Sequence, residues 1–247
     1  FGFDPAQVAA YPDEGSFKQA YREAVAAYEQ VRRQIDQLLD LRREAAGVAL
    51  DAALGPAELE PWLADVPADM RAEERRLRAE MDAFTALRPL RLGDVVKVPL
   101  RTPHSLQHGV RTVEFQTPVY ERRILSFAQK VLTQGHWDTA AGIELMALEP
   151  APEPAHTCLH QGDGVLAEQI VDFDDFQVQR LQLEPGASYS LDLPGYAVAM
   201  GVSGEVAIAG LLLAPEKAAL LPARNGALTL ENQGLQAACL LLAYPPA

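Results

Sequence analysis

The stretch from Gly93 to Glu114, GDVVKVPLRTPHSLQHGVRTVE, decides how this chain is interpreted. It opens with a short segment rich in β-branched residues, namely Val95, Val96 and Val98. Such residues fit a pleated sheet, so the segment from Asp94 to Pro99 is predicted to be a strand. Pro99 closes that strand because proline has no backbone N–H with which to continue a ladder.

Downstream of this strand, the chain is predicted to turn back and form a partner strand. The turn is expected around Thr102 and Pro103, with His104 at the start of the return. The second strand is predicted from Val110 to Gln116 and carries one acidic residue, Glu114. An imidazole and a carboxylate on adjacent strands can face each other across the mouth of a barrel. This arrangement predicts a site for metal binding or proton transfer.

The spacing from Gly93 to His108, G-x5-P-x-R-x2-H-x3-H, resembles the second sequence motif of the cupin superfamily, G-x5-P-x-G-x2-H-x3-N. Arg101 and His108 stand where that pattern has glycine and asparagine. The residues TPHSLQHGVRTVEFQTPVYERR, which overlap this motif, resemble a segment of type I mannose-6-phosphate isomerases. The resemblance implies a mainly β fold of cupin barrels, also called double-stranded β-helix or jelly-roll barrels, with a helical N-terminal region.

The resemblance also implies roles for individual residues. The histidine after the proline is a zinc ligand in that family, which makes His104 the expected ligand of zinc or another divalent metal. Glu114 would transfer a proton or order the sugar, and Arg122 or Arg123 would face the phosphate or an enediol oxygen. The implied reaction interconverts mannose 6-phosphate and fructose 6-phosphate, so the expected partner is a small sugar phosphate.

The remaining zinc ligands of that family have no counterpart in the sequence. One histidine does not hold zinc alone, because three or four ligands are normal. No Q-x-H pair precedes the motif, and the H-x-H-x(3,4)-E cluster of the first cupin motif does not occur. Since the chain begins at Phe1 rather than methionine, one expectation is a preceding segment that carries the other ligands. The alternative is a non-catalytic cupin that binds sugar or serves assembly.

Other polar residues near the motif have two interpretations each. The ordinary one is a turn or solvent-facing position, and the functional one is metal ligation, sugar stacking, sugar hydrogen bonding or phosphate binding. These residues are His108, Gln116, Arg111, Lys130, His136, Trp137, His156 and His160. The prolines around His156 and His160 argue against a helical zinc pair there.

Composition narrows the class of partner. The 247-residue chain has a formal net charge of −13, which argues against nucleic acid because phosphate backbones require clustered lysine and arginine. No apolar run approaches the length that spans a bilayer, so no membrane association is expected. The two cysteines, Cys158 and Cys239, lie in different segments, which favours free thiols and a cytoplasmic location. Apolar outer strands would allow a homo-oligomer.

The sequence divides into four predicted regions: a helical region over 1–88, a cupin barrel segment with the site over 89–150, a linker over 151–171 and a C-terminal cupin-like barrel over 172–247. Helices are expected over 16–46, 58–63 and 68–87 from apolar residues spaced three and four apart. Further strands are expected over 123–133 and 142–149. In the last region, turn signals recur roughly every ten residues, which is typical of a sandwich or barrel.

Overall fold

The computed structural model describes residues 1–52, 54–107, 109–117, 122–125, 136–223 and 226–246. The chain forms two compact units that alternate along the sequence. The first unit comprises Phe1–Arg91, Val98–Val110 and Glu121–Ala151, and the second comprises Leu92–Lys97, Arg111–Tyr120 and Pro152–Ala247. In the described part of the chain, no helix combines the length and apolarity needed to cross a membrane.

The first unit is helical. Its helices are α1 (Pro5–Ala9), α2 (Glu14–Ala45), α3 (Pro56–Ala64), α4 (Ala68–Asp82) and α5 (Thr139–Leu145). Helix α2 buries one stripe along its length, formed by Phe17, Tyr21, Val25, Tyr28, Val31, Ile35 and Leu39. This stripe belongs to the same core as Leu77 and Met81 of α4. The prediction of a helical N-terminal region is therefore confirmed.

The N-terminus of α2 is capped by Asp13. Its carboxylate accepts a hydrogen bond from the backbone N–H of Ser16 at 2.7 Å, which satisfies one of the unpaired donors of the first turn. The same hydrogen bond holds the pKa of Asp13 below its usual value. This helix was expected to begin at residue 16, so it begins slightly earlier than expected.

The strands expected between 89 and 150 are not observed in the described residues. The segments 94–99 and 110–116 contain no strand, and the same holds for 123–125, the described part of the expected strand 123–133. The expected strand over 142–149 is wrong, because helix α5 occupies Thr139–Leu145. Ile143 is fully buried in the core of the first unit, so tertiary packing favours the helix here.

In its described residues, the second unit is a β-barrel of ten strands. These are β1 (Thr157–Gly162), β2 (Val165–Asp172), β3 (Gln177–Leu183), β4 (Ser188–Leu191), β5 (Ala197–Ser203), β6 (Val206–Ile208), β7 (Leu211–Leu213), β8 (Ala218–Leu221), β9 (Leu228–Glu231) and β10 (Ala238–Tyr244). All strand pairs are antiparallel. The linker expected over 151–171 is wrong, because β1 and most of β2 lie within it.

The strand order identifies the architecture. One sheet has the order β1-β2-β3-β10-β5-β8 and the other has the order β4-β9-β6-β7. From β3 onward, four strands of each sheet form two Greek keys, which is the topology of an eight-stranded jelly roll. The strands β1 and β2 extend the first sheet at the β3 edge. The expected mainly β fold with a jelly-roll barrel is thus confirmed for the C-terminal part of the chain.

The interior of the barrel is aliphatic. Its core consists of valine, leucine, isoleucine and alanine side chains, and Leu230 and Leu240 have no exposed surface. Among the described residues of this unit, Asn232 is the one buried polar side chain. Its amide nitrogen donates to the carbonyls of Leu183 at 2.9 Å and Gln236 at 2.8 Å, and its Oδ1 accepts from the N–H of Gly234 at 2.9 Å.

Two strands of the barrel end their sheets with exposed leucines. Strand β7 is the last strand of the four-stranded sheet, and Leu211 and Leu212 are each 53% exposed. Strand β8 is the last strand of the six-stranded sheet, and Leu220 is 68% exposed. The segment 206–215, which contains strands β6 and β7, has no charged residue.

Candidate functional site

The four residues assigned by resemblance are all solvent-exposed. His104, Arg122 and Arg123 belong to the first unit, whereas Glu114 belongs to the second. Each is described below within its own unit. His108 and Lys130, which were weighed as further candidates, lie outside the described residues.

Backbone hydrogen bonds anchor the chain directly before His104. The N–H of Gly2 donates to the carbonyl of Pro103 at 2.8 Å, and the N–H of Ala147 donates to the carbonyl of Arg101 at 3.1 Å. The N–H of Thr102 donates to the carbonyl of Pro99 at 3.3 Å, which closes a four-residue turn. The turn therefore lies slightly before the position predicted around Thr102 and Pro103, and His104 follows it directly.

Arg101 has a left-handed backbone conformation, with φ at 67°. It is the third residue of the turn that begins at Pro99, the position at which type II turns require a positive φ. The cupin motif has glycine at this position, and glycine adopts positive φ without steric cost. The chain thus keeps the backbone conformation suited to glycine even though its sequence departs from the motif there.

Replacing Arg101 with glycine is expected to stabilise the first unit by about 1 kcal/mol. The left-handed conformation costs a residue with a Cβ about 1–2 kcal/mol, and the greater freedom of glycine in the unfolded chain offsets part of the gain. Urea unfolding followed by tryptophan fluorescence measures the change, because Trp62 and Trp137 both lie in the first unit. Arg101→Ala is the control: it removes the same side chain but keeps the Cβ. Equal stability of the two variants would contradict the role of the backbone conformation.

The imidazole of His104 is oriented by the turn. Its Nδ1 lies 2.9 Å from the carbonyl oxygen of Thr102. A carbonyl oxygen only accepts hydrogen bonds, so Nδ1 carries the proton and Nε2 carries the lone pair of the neutral ring. Metal-binding histidines are commonly held in this way, with one ring nitrogen on a backbone carbonyl and the other on the metal.

The described residues do not complete a zinc site around His104. Within this part of the chain, no group of three or more histidine, cysteine, aspartate or glutamate side chains could hold a metal ion. Zinc takes about four ligands in structural sites and keeps three protein ligands in catalytic ones. The side chain of His104 is therefore suited to be one ligand, and the described residues alone do not fit the metal.

Arg122 and Arg123 lie on a segment held by Asp138, a residue that the sequence analysis did not single out. The carboxylate of Asp138 accepts from the N–H of Ile124 at 3.0 Å, and the N–H of Asp138 donates to the carbonyl of Ile124 at 2.7 Å. Gly142 of α5 permits close packing of this segment, because a Cβ there would lie 2.6 Å from the Cδ2 of Leu125. The sequence signal for Asp138 was its position directly before helix-forming residues, which is typical of a helix N-terminus.

Several other residues that were considered as candidate ligands or sugar-binding residues have structural partners. The guanidinium of Arg33 lies 4.9 Å from the ring centroid of Trp137, so this tryptophan packs against helix α2. His136 lies 3.5 Å from the carboxylate of Asp138. In the second unit, Arg111 forms an ion pair with Glu216 at 2.5 Å. Gln116 and His156 are exposed, as is Glu114.

Two comparisons with known proteins found no relative. No model of a protein family matches the chain. The search of curated proteins also gave no match. The class of the second unit therefore comes from its own topology, which is that of the jelly-roll barrels, a class that includes the cupins.

The search of solved structures returned cupins. An RmlC-like cupin from Shewanella frigidimarina has 17% identity, with 37% of this chain and 84% of that chain covered, at a TM-score of 0.31. A cupin superfamily protein from Desulfitobacterium hafniense has 17% identity, with 36% and 83% covered, at 0.31. A sugar phosphate isomerase from a cupin superfamily, from Silicibacter pomeroyi, has 18% identity, with 38% and 72% covered, at 0.31.

Proposed function

We propose that this chain acts as a metal-dependent aldose–ketose isomerase that interconverts mannose 6-phosphate and fructose 6-phosphate. The proposal rests on the motif from Gly93 to Glu114 and its resemblance to type I mannose-6-phosphate isomerases. The observation that carries it is the orientation of His104, whose Nδ1 is bonded to a backbone carbonyl so that Nε2 is available as a ligand. The left-handed backbone at Arg101, where the motif has glycine, supports the same assignment.

The proposed reaction moves a proton between C1 and C2 of the open-chain sugar through an enediol. Glu114 is the proposed base, because a carboxylate can remove the proton from one carbon and return it to the other. Arg122 or Arg123 is proposed to bind the phosphate or an enediol oxygen, since a guanidinium donates two parallel hydrogen bonds to such groups. Asp138 would act as a positioning residue, because its hydrogen bonds with Ile124 hold the segment that carries both arginines.

The isomerase proposal is tested directly with mannose 6-phosphate in deuterated water. Proton transfer through an enediol removes the hydrogen from C2 and delivers one to C1, and the base can exchange that proton with solvent on the way. NMR would therefore show deuterium at C1 of fructose 6-phosphate and, after the reverse reaction, at C2 of mannose 6-phosphate. Chemical conversion without any solvent exchange would argue against Glu114 as a base open to water. Absence of both conversion and exchange in metal-supplemented protein would refute the proposed activity.

His104→Ala is expected to abolish binding of a divalent metal. The proposal makes His104 one ligand, and loss of one ligand from a three- or four-ligand site removes most of its affinity. Elemental analysis of the purified chain after zinc loading and dialysis measures the occupancy. His156→Ala is the matched control, because His156 is also exposed but lies in the second unit. Equal metal content in both variants would remove His104 from the proposed site.

A second candidate function is a non-catalytic cupin that binds sugar or serves assembly. The aliphatic interior of the barrel favours it, because the described residues of that unit place no histidine or carboxylate in the core. The two candidates differ in their ligands. Elemental analysis distinguishes them, since a metal that copurifies and is lost in His104→Ala supports the isomerase, whereas a chain without metal favours the binding protein.

A further inference from the structure

A row of polar and aromatic side chains lies at the margin of the aliphatic barrel core. The hydroxyl of Tyr244 donates to Oε1 of Gln179 at 3.3 Å, and the rings of Tyr189 and His160 have centroids 5.8 Å apart. Tyr244 and Tyr189 both pack against the barrel core. Gln179, Tyr189 and Tyr244 are partly exposed and His160 is exposed, so solvent reaches the row.

Strand register shows that these side chains point to the interior side of the sheets. In antiparallel pairs, residues directly opposite each other share a face. Gln179 is opposite Leu242, and Tyr189 is opposite Leu230, both of which lie in the core. His160 is opposite the core residue Ala167. Tyr244 follows Leu242 by two positions on β10, which places it on the same face.

A further amide extends the row on strand β2. Gln169 is opposite Gln179, so both amides share the interior face. The row therefore combines two amides, two phenols and one imidazole, and none of these groups is a lysine, arginine, aspartate or glutamate. Burial raises the pKa of Tyr244, with a smaller contribution from Tyr189, so its hydroxyl remains a hydrogen-bond donor at neutral pH.

These groups fit an uncharged ligand with several hydroxyls. Amides and phenols both donate and accept hydrogen bonds, which matches adjacent hydroxyl groups that also do both. The tyrosine and imidazole rings offer flat apolar faces for the C–H side of a sugar ring. Phosphate binding favours lysine or arginine, and neither occurs in the row.

We infer that Gln169, Gln179, Tyr244, Tyr189 and His160 form a binding site for a neutral monosaccharide in the C-terminal barrel. The site is separate from the residues assigned to the isomerase reaction, because none of these five side chains has a role there. The Tyr244–Gln179 hydrogen bond would be exchanged for bonds to the ligand hydroxyls.

Isothermal titration calorimetry with mannose, glucose and fructose tests the inference. At least one of these sugars is expected to bind the wild-type chain, and mannose 6-phosphate is expected to bind this site more weakly. Tyr244→Phe should weaken the affinity about fivefold and Gln179→Ala about tenfold, since each removes hydrogen bonds to the ligand. Tyr196→Phe is the matched control, because Tyr196 is 52% exposed and is not one of the five residues.

The inference is overturned if none of the three neutral sugars binds, or if Tyr244→Phe and Gln179→Ala both bind as wild type does. Circular dichroism of each variant confirms that the barrel is folded, and Gln179→Glu provides a second change at the same position that keeps the side-chain size. His104→Ala should leave neutral sugar binding unchanged. That result separates this site from the proposed isomerase site.

Discussion

Replacing Glu114 with glutamine is expected to lower the isomerisation rate about 100- to 10,000-fold, the range in which general acid–base catalysis contributes. Glutamine has nearly the same size and can still hydrogen-bond a sugar hydroxyl, but it cannot take up the proton. The substitution therefore separates proton transfer from substrate ordering. Glu114 is solvent-exposed, so the change should leave stability nearly unaltered.

The kinetic pattern decides which role Glu114 has. A lower kcat with little change in KM indicates a group that acts in proton transfer, whereas a raised KM with unchanged kcat indicates substrate binding. Glu205→Gln is the matched control, because Glu205 is also an exposed glutamate of the second unit. Wild-type activity in Glu114→Gln would eliminate this residue as the base.

Replacing Asn232 with aspartate is expected to destabilise the barrel by about 3 kcal/mol at neutral pH. The amide nitrogen of Asn232 donates to the carbonyls of Leu183 and Gln236, and an ionised carboxylate would set a negative oxygen against both. Asn232 is 1% exposed, so water does not compensate the loss. The cost combines two lost hydrogen bonds with the burial of an unpaired charge.

The destabilisation by Asn232→Asp should decrease as the pH falls. Burial and the two facing carbonyls raise the pKa of the introduced carboxyl in the folded state above the value of about 3.9 in the unfolded chain. The penalty is therefore complete above the folded-state pKa and diminishes toward the unfolded-state pKa. Hydrogen exchange of β3 and β9 at two pH values measures it. Gln236→Glu makes a similar amide-to-carboxylate change at an exposed side chain, and an equal effect there would refute the role of burial.

The helices were predictable because their signals are local. The apolar residues of α2 recur every three or four positions, and the same residues form the buried stripe of the observed helix. Helix α4 was expected to reach Leu87 but ends at Asp82. The chain beyond it makes a bridge between Thr85 and Phe3, a contact between residues that are distant in sequence. The spacing of apolar residues along the sequence does not predict long-range pairing of this kind.

The jelly-roll class of the C-terminal part was predictable from the sequence, whereas the residue at which the barrel begins was not. Turn residues such as Pro194 and Gly210 lie in the loops that they predicted. Strand β1 was assigned to a linker because its sequence, TCLHQG, shows no alternation, and all six of its residues are exposed. An edge strand of this kind is defined by its hydrogen bonds to a neighbour, in this case β2, rather than by burial.

The segment 94–99 illustrates the limit of strand propensity. Its β-branched residues favour a strand, but a strand exists only when a neighbouring chain segment pairs with its backbone. The carbonyl of Gly93, directly before this segment, accepts instead from the side chain of Arg180 at 2.7 Å. The β-propensity of this segment identified residues that suit a sheet, but it does not identify a neighbouring segment with which they pair.

The candidate site was predictable in part. The motif located His104, and the structure adds the hydrogen bond to Thr102 that fixes its tautomer. The positive φ of Arg101 could be expected only from the glycine of the motif, because arginine itself does not favour it. The support of Asp138 for the arginine segment depends on a contact across 14 positions and on packing against α5.

The exposed leucines at the ends of the two sheets affect the association of separate molecules of this chain. Among the described strands, β7 pairs with a neighbour on one side only, and such a sheet end, with Leu211 and Leu212 exposed, is a template for adding a strand from another molecule. The net charge of −13 opposes that encounter by mutual repulsion. Dissolved ions weaken the repulsion over about 10 Å at 0.1 M salt while leaving the apolar contact intact. Higher ionic strength is therefore expected to favour self-association of this chain.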